Sequence, residues 1–286
     1  MVSVIIPSYN ESNAIGLTVT SVKQILVNAN YDDFEIIVVD DGSSDDTAEK
    51  AREAGACVIQ HPHNIGYGRA LKTGIIESKF DTVVITDSDG TYPIDQIPLL
   101  LQLYTKGFDM IVGARSGNYY KGSAIKWPMR LLLRFLVEWT AGRSIPDINS
   151  GLRVFSKKTI ISFLPHLCDT FSFTTSMTLA YMMTGRFVGY HNISYEERIG
   201  KSHVKLWSDS FKTLQFIIQA IAYYNPLKLF MLLSLFCFFI ALISVTIGVL
   251  FNIATGFVMG VAAIVSSIII FSIGLLAEIL RQILSK

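Results

Sequence analysis

Two stretches near the carboxyl end constrain this chain more than anything else in it. Leu229–Phe251 carries no charged residue, and after a short break at Asn252–Gly256 a second apolar run covers roughly Phe257–Ala277. A helix rises ~1.5 Å per residue, so the first run spans ~35 Å against a hydrocarbon core of ~30 Å. So short a break forces the two spans into an antiparallel hairpin. A buried core hairpin is the competing reading, and it needs far more surrounding protein than this chain offers. Lys212 and Lys228 precede the first span, and Arg281 and Lys286 follow the second. Positive charge marks cytoplasmic flanks, so a multi-pass protein of the cell membrane with both termini in the cytoplasm is expected. Hydrophobic residues make up 51% of the 286, mean hydropathy is +0.44, and the apolar excess lies almost entirely after Asn225.

The remainder reads as a soluble α/β domain. Met1 leads straight into Val2–Ile6 with no leader-like segment, so this part is expected to stay in the cytoplasm. A net charge of +1 and a pI near 7.7 give no reason to expect nucleic acid as a partner. Cys57, Cys168 and Cys237 have no metal-ligand spacing and read as buried thiols of a reducing compartment. Up to about Val112 the pattern alternates. Strands are expected at Val2–Ile6, Phe34–Val39, Cys57–Gln60, Thr82–Thr86 and Met110–Val112, with helices at about Ala14–Asn28, Asp46–Ala54, Tyr67–Ser78 and Asp95–Lys106. Such alternation implies βαβ units and a mostly parallel sheet. Farther on, Phe171–Gly185 reads as a helix and Phe187–Arg198 as strand-like segments interrupted around Asn192.

Each strand exit carries polar chemistry: Pro7-Ser8-Tyr9-Asn10-Glu11-Ser12, Asp40-Asp41-Gly42-Ser43-Ser44-Asp45, and Asp87-Ser88-Asp89-Gly90. In an open α/β sheet the exits of parallel strands converge on a ligand crevice. Two carboxylates at i, i+2 suit Mg²⁺ or Mn²⁺, which favour hard oxygen ligands shared with substrate phosphates. A turn with solvated acids is the alternative for Asp87 and Asp89. About half of the exit polarity is expected to serve caps and turns, with Ser44 or Asp45 capping the next helix. A dinucleotide-binding dehydrogenase fits poorly, because the first strand leads into Pro-Ser-Tyr-Asn-Glu and not a glycine-rich loop. Asn64–Ala70, with Gly66-Tyr67-Gly68, reads as a tight helix entry with backbone available to phosphate. His191 and His203 have no ligand spacing and read as structural or solvated.

Two further segments have amphipathic character. In 123–143, Trp127, Leu131 and Phe135 recur every four residues, and Lys126, Arg130 and Arg134 form a basic stripe at the same spacing. Aromatic rings at headgroup depth and cations on lipid phosphate fit a membrane-interface helix; a core-packed helix with a solvated face fits equally. In Trp207–Tyr224 the apolar side is Trp207, Phe211, Leu214, Ile217, Ile218 and Ile221, and Asn225-Pro226 ends it.

Taken together, Pro7-Ser8-Tyr9-Asn10-Glu11, Val38-Val39-Asp40-Asp41-Gly42-Ser43 and Asp87-Ser88-Asp89 resemble the inverting family-2 glycosyltransferases of the GT-A fold. Val112-Gly113-Ala114-Arg115, Asp147-Ile148-Asn149-Ser150-Gly151-Leu152-Arg153 and Arg198-Ile199-Gly200-Lys201-Ser202 are similar to the polyprenyl-phosphate hexose synthase branch. That branch includes dolichol-phosphate mannose synthases and undecaprenyl-phosphate sugar transferases. The resemblance implies a Rossmann-like GT-A catalytic domain over 1–205, and beside it the residue patterns suggest an interface helix at 123–143, a second at 206–227, and two transmembrane helices over 228–286. It implies that Pro7, Tyr9, Glu11, Asp40 and Asp87 hold a nucleotide-sugar, and that Asp87 and Asp89 are the catalytic, metal-binding pair, for Mg²⁺ or Mn²⁺. It implies that Arg115, Arg130, Arg198 and Ser202 take the acceptor phosphate, with Arg134 one turn from Arg130 and able to replace it. Many members have Gln two residues past the second Asp. Here that position is Thr91, which leaves a third side-chain metal ligand open.

The function expected from this resemblance is transfer of a hexose from a UDP- or GDP-sugar to a polyprenyl monophosphate at the bilayer, by one in-line displacement. A phosphate monoester has a second pKa near ~6, so the acceptor is already largely a dianion and needs no dedicated base. Asp147 is the first suspect for a base with a hydroxyl acceptor, and otherwise orients neighbours such as Arg153. A processive polysaccharide synthase is a rival that would share the fold, but the product-site Gln-x-x-Arg-Trp motif of such enzymes is absent, with no Arg-Trp pair in the chain. A tethered glycosyltransferase acting on a glycan or protein hydroxyl, and a non-catalytic scaffold subunit, remain as rivals. A homo-oligomer is left open.

Overall fold

The computed structural model describes residues 1–116, 127–196 and 206–284, with the side chains of 127–133, 206–213 and 284 outside the description. It divides into two compact units, Met1–Ile217 and Ile218–Lys286.

The first unit alternates strand and helix as far as Ser116: β1 (Val2–Ser8), α1 (Ile15–Asn28), β2 (Phe34–Asp40), α2 (Thr47–Glu53), β3 (Cys57–Gln60), α3 (Tyr67–Glu77), β4 (Thr82–Ile85), α4 (Ile97–Tyr104) and β5 (Met110–Ser116). There follow α5 (Trp127–Ala141), β6 (Arg153–Ser156), α6 (Lys157–Ile161), α7 (Phe173–Met183), β7 (Val188–Ser194) and α8 (Leu206–Tyr224), the last crossing into the second unit. The sheet has seven strands in the order β3-β2-β1-β4-β6-β5-β7. All neighbours are parallel except β6, which runs antiparallel to both β4 and β5.

Burial explains why these segments take these forms. Every residue of β1 is buried, as a central parallel strand covered on both faces requires. On one face Ile15, Val19, Val22 and Leu26 of α1, spaced for one side of a helix, pack with Val2, Val4, Ile6, Ile36, Val38 and Val84. On the other face Ala70 of α3 joins Ile37 and Val39.

Several expectations need correction. β6 is an additional strand, and Arg153 lies in its ladder opposite Ile85. β5 continues to Ser116, so Arg115 lies within the strand and not after it. β7 is continuous through Asn192, because Ala114↔Asn192 is one rung of an unbroken parallel ladder and the Asn side chain is exposed. Cys57 is exposed and not buried, Cys168 is buried, and Cys237 is intermediate.

In the second unit α9 (Pro226–Phe251) and α10 (Ala254–Leu284) form a hairpin. Each is long and apolar enough to cross a membrane. The turn is only Asn252 and Ile253, shorter than expected, because Asn252 adopts a left-handed conformation (φ 52°) and Ile253 N–H bonds Gly248 O at 3.0 Å. Thr255 and Gly256 are therefore helical. The helices approach closely through small residues: a Cβ on Gly256 would lie 2.7 Å from Gly248 Cα, and Ser234 and Ser267 hydroxyls meet at 2.9 Å.

Candidate active site

The chain leaves β1 for β2 and β3 on one side and then returns to β4 on the other, so the strand order switches between β1 and β4. Ligands of open α/β sheets bind outside the carboxyl ends of strands at such a point. Pro7 is buried near the end of β1, Tyr9 and Glu11 follow it, Asp40 ends β2, and Asp87 and Asp89 lie just past β4. Side chains and backbone knit these exits together. Asp41 N–H donates to Ser8 O at 2.9 Å, Ser44 N–H to Asn10 Oδ1 at 2.9 Å, and Glu11 N–H to Thr47 Oγ1 at 2.9 Å. Asp45 Oδ1 accepts Thr47 N–H at 3.1 Å, but the N-cap of α2 is Asp46, without a side-chain capping bond, and not Ser44 or Asp45.

Asp40 and Asp41 have different environments although adjacent. Asp40 accepts Ser43 N–H at 3.1 Å and the Gln60 amide at 3.2 Å. Asp41 points to the other side of the loop, where its carboxylate takes His61 Nδ1 at 2.7 Å and Gly66 N–H at 2.7 Å. Asp41 thereby ties the exit of β2 to that of β3, a structural role that the Asp40-Asp41 doublet alone does not reveal.

Gly66 and Gly68 make room for neighbouring backbone. A Cβ on Gly66 would lie 2.7 Å from Asp169 O, and one on Gly68 would collide with Cys168 O. Arg69 N–H donates to Asp169 O at 2.9 Å, and Gly66 N–H is taken by Asp41. The glycines admit the backbone of 168–170 over the start of α3, and the Ile65, Gly66 and Arg69 amides are used within the protein.

Asp89 is buried. Its Oδ1 accepts Thr91 N–H at 3.1 Å and the Thr91 hydroxyl at 2.6 Å. Thr91 therefore orients Asp89. Asp87 accepts the Tyr67 hydroxyl on Oδ1 at 2.8 Å, and Gly151 closes behind it, where an added Cβ would be 2.6 Å from Oδ1. Burial, and then the neighbouring Asp87, push the Tyr67 hydroxyl above the ordinary tyrosine value, so it remains a donor.

Arg115 and Asp147 form the other side of this cluster. Asp147 Oδ2 accepts Arg115 N–H at 3.0 Å and Nε at 2.7 Å, and Oδ1 accepts Nη2 at 2.9 Å. Burial opposes the charge on Asp147, but the guanidinium and the amides of Arg115 and Asn149 outweigh it and hold the carboxyl below the ordinary value. Arg115 also lies over the Tyr195 ring at 5.4 Å, Tyr195 meets Tyr92 edge-on at 5.4 Å, and Gly151 N–H donates to Tyr92 Oη at 2.6 Å. A continuous series of contacts thus joins Arg115 to Asp87. Asp147 pairs with Arg115, not with Arg153. Arg153 is fully buried and satisfied by Ser150 O, Ile148 O and Thr178 Oγ1, each at 2.8 Å.

Of the other expected acceptor contacts, Arg130 falls in the first turn of α5 with its side chain outside the described residues, as are Arg198 and Ser202 altogether. Arg134 pairs with Glu138 at 3.0 Å. Tyr67 and Gly151 escaped assignment because their roles depend on partners 20 and 64 positions away, whereas Thr91, already noted in the sequence, bonds Asp89 only two positions away.

Residues 3–173 match the family described as Glycosyl transferase family 2. The chain belongs to glycosyl transferase family 2. Residues 225–283 match a GtrB C-terminal hairpin. An undecaprenyl-phosphate 4-deoxy-4-formamido-L-arabinose transferase of Pseudomonas fluorescens is 30% identical over 198 residues, 63% of this chain and 57% of the relative. A dolichyl-phosphate hexose transferase of Haloferax volcanii is 27% identical over 204 residues, 70% of this chain and 85% of that one. The chain thus spans little more than half the length of the first of these relatives. Among solved structures, glucosyl-3-phosphoglycerate synthase of Mycobacterium tuberculosis superposes with a TM-score of 0.62 at 21% identity, covering 77% of this chain and 79% of that one. The likeness establishes the GT-A fold. Another structure of that synthase contains Mn²⁺ and UDP.

Proposed function

We propose that this family-2 member is a membrane-anchored inverting glycosyltransferase that moves a sugar from a nucleotide-sugar to a polyprenyl monophosphate. The observation that carries this reading is the cluster at the β1/β4 switch point, where the Asp87–Asp89 pair is linked through Tyr92 and Tyr195 to a fixed arginine. An anionic donor side and a cationic acceptor side in one crevice suit transfer between two phosphorylated substrates. The names of the two relatives agree on a polyprenyl-phosphate acceptor and differ in the sugar, so hexose is the narrower expectation.

The donor set suits a hard divalent cation. Among the described residues no group of three or more His, Cys, Asp or Glu is placed to hold a metal. Mg²⁺ and Mn²⁺ need no such cage, since they are commonly held by one or two carboxylates plus substrate phosphates. Asp89, oriented by Thr91, and Asp87 would hold the ion. When bound, it would neutralise charge on the departing diphosphate. Pro7, Tyr9, Glu11 and Asp40 would hold base and ribose at the β1 and β2 exits. Arg115, braced by Asp147, would contact the acceptor phosphate, with Arg130, Arg198 and Ser202 as further contacts. The dianionic acceptor supplies its own nucleophile, and Asp147, committed to Arg115, is not needed as a base. α9 and α10 would anchor the chain as a hairpin with both ends in the cytoplasm.

The test is a screen of UDP- and GDP-sugars with the purified protein and polyprenyl phosphate, beside free polyprenol and an unphosphorylated glycan. Transfer that requires the acceptor phosphate is expected. Equal transfer to free polyprenol or to the glycan would favour the tethered hydroxyl-transferase instead.

A further inference from the structure

The sequence singles out Tyr67 only within the Gly66-Tyr67-Gly68 helix entry, for its backbone, yet its hydroxyl meets Asp87 Oδ1 at 2.8 Å. Its ring is fixed from outside. Phe171 stacks on it with centroids 5.8 Å apart and planes 15° from parallel. Phe171 comes from a strap, 167–171, laid across the start of α3. Lys72 holds that strap by donating to Leu167 O at 2.6 Å and pairing with Asp169 at 2.7 Å, and Arg69 N–H holds it at Asp169 O. Gly66 and Gly68 exist in a form that lets the strap lie this close. Gly151 backs the same carboxylate, where an added Cβ would lie 2.6 Å from Oδ1. The Asp87 carboxylate is therefore held by a hydroxyl whose ring is clamped, with the Gly151 backbone close behind.

We propose that Tyr67, clamped by Phe171 and the 167–171 strap, is a positioning residue that sets the Asp87 carboxylate for the metal–diphosphate end of the donor. The proposal rests on the nucleotide-sugar reading above. It makes the strap, which touches no acceptor residue among those described, a determinant of donor affinity. A carboxylate that coordinates a cation loses affinity when a neighbour that orients it is removed, even though every ligand remains.

The experiment uses the full chain in detergent and measures binding of Mn²⁺ with UDP, and separately with GDP, by calorimetry and by the Mn²⁺ spin-resonance signal. Tyr67→Phe keeps the ring and its stack and deletes only the hydroxyl. It should weaken Mn²⁺–nucleotide binding about tenfold, the lower end for removing an outer partner of a metal ligand, with an unchanged melting temperature. In an Asp87→Ala background the same substitution should cost little, since the group it positions is gone. Phe171→Leu should give a smaller loss in the same direction. Wild-type affinity in Tyr67→Phe, or losses that simply add in the double variant, would overturn the proposal. Asp89→Asn separates it from the underlying reading: loss of binding there with none in Tyr67→Phe removes only the positioning role. No binding of either nucleotide by the unaltered chain removes both.

Discussion

Replacing Gly151 with alanine should cost this protein its activity while leaving the fold nearly intact. The new Cβ would lie 2.6 Å from Asp87 Oδ1 and 2.9 Å from both Cγ and Oδ2, whereas ordinary contact begins at 3.4 Å. The carboxylate must therefore withdraw by about 0.8 Å, the difference between 3.4 and 2.6 Å. It is the end of a short side chain at the crevice, so it can turn aside without moving the sheet. The stability cost should fall at or below the low end of the ~1–3 kcal/mol typical of overpacking. For a unit of this size ~1 kcal/mol corresponds to a melting shift of ~2–4 °C. Position matters far more to chemistry: a displacement near 1 Å can reduce rate by roughly 10²-fold. The assay is transfer of labelled sugar into solvent-extractable polyprenyl phosphate, run beside thermal unfolding in detergent. A drop of about two decades in kcat with a melting shift of a few degrees is the expected pair of results. Full activity in Gly151→Ala would refute the claim that the Asp87 carboxylate works in its observed place.

Thr91→Val keeps shape and deletes the hydroxyl on Asp89; apparent Mn²⁺ affinity should fall roughly tenfold, and an unchanged metal titration would dismiss Thr91 as an orienting residue. Asp147→Asn should lower transfer to polyprenyl phosphate while nucleotide binding holds, which binding and rate measurements on one preparation would separate. Asp147 also sets a pH dependence. Its folded carboxyl lies below the ordinary value of 3.8, so its stabilisation is complete above that value and is lost as pH falls through the lower folded one. Melting temperature should decline there more steeply for the natural chain than for Asp147→Asn, and parallel curves would contradict the pairing with Arg115. In a cysteine-free background, an impermeant thiol reagent outside the cell should reach a cysteine at Asn252 and miss one at Arg281; the reverse pattern would invert the proposed topology.

Much of this architecture is written locally. The 3.6-residue spacing of Ile15, Val19, Val22 and Leu26 announces α1, the unbroken apolar run of β1 announces a strand covered on both faces, and the charge-free runs of α9 and α10 announce a hairpin. These signals survive because each element's own burial pattern depends on its own residues. β6 gave no such signal: it is four residues long and begins with an arginine, whose burial is tolerated only because Ser150, Ile148 and Thr178 accept its protons. The Asn192 position was likewise misleading, since an edge strand paired on one side only lets a polar side chain face outward without breaking its ladder.

The site divides the same way. Asp87-Ser88-Asp89 could be recognised as a carboxylate pair at a strand exit from seven consecutive letters. That Arg115 is held by Asp147 across 32 positions, that Tyr67 grips Asp87 across 20, and that Gly151 stands behind it were settled only by the strand order, which brings β1, β4, β6 and β5 side by side. Sequence periodicity encodes which face of an element is buried. It carries no information on which distant element covers that face, and hydrogen bonds act over about 3 Å, so partners remain unknown until the sheet has closed the distance.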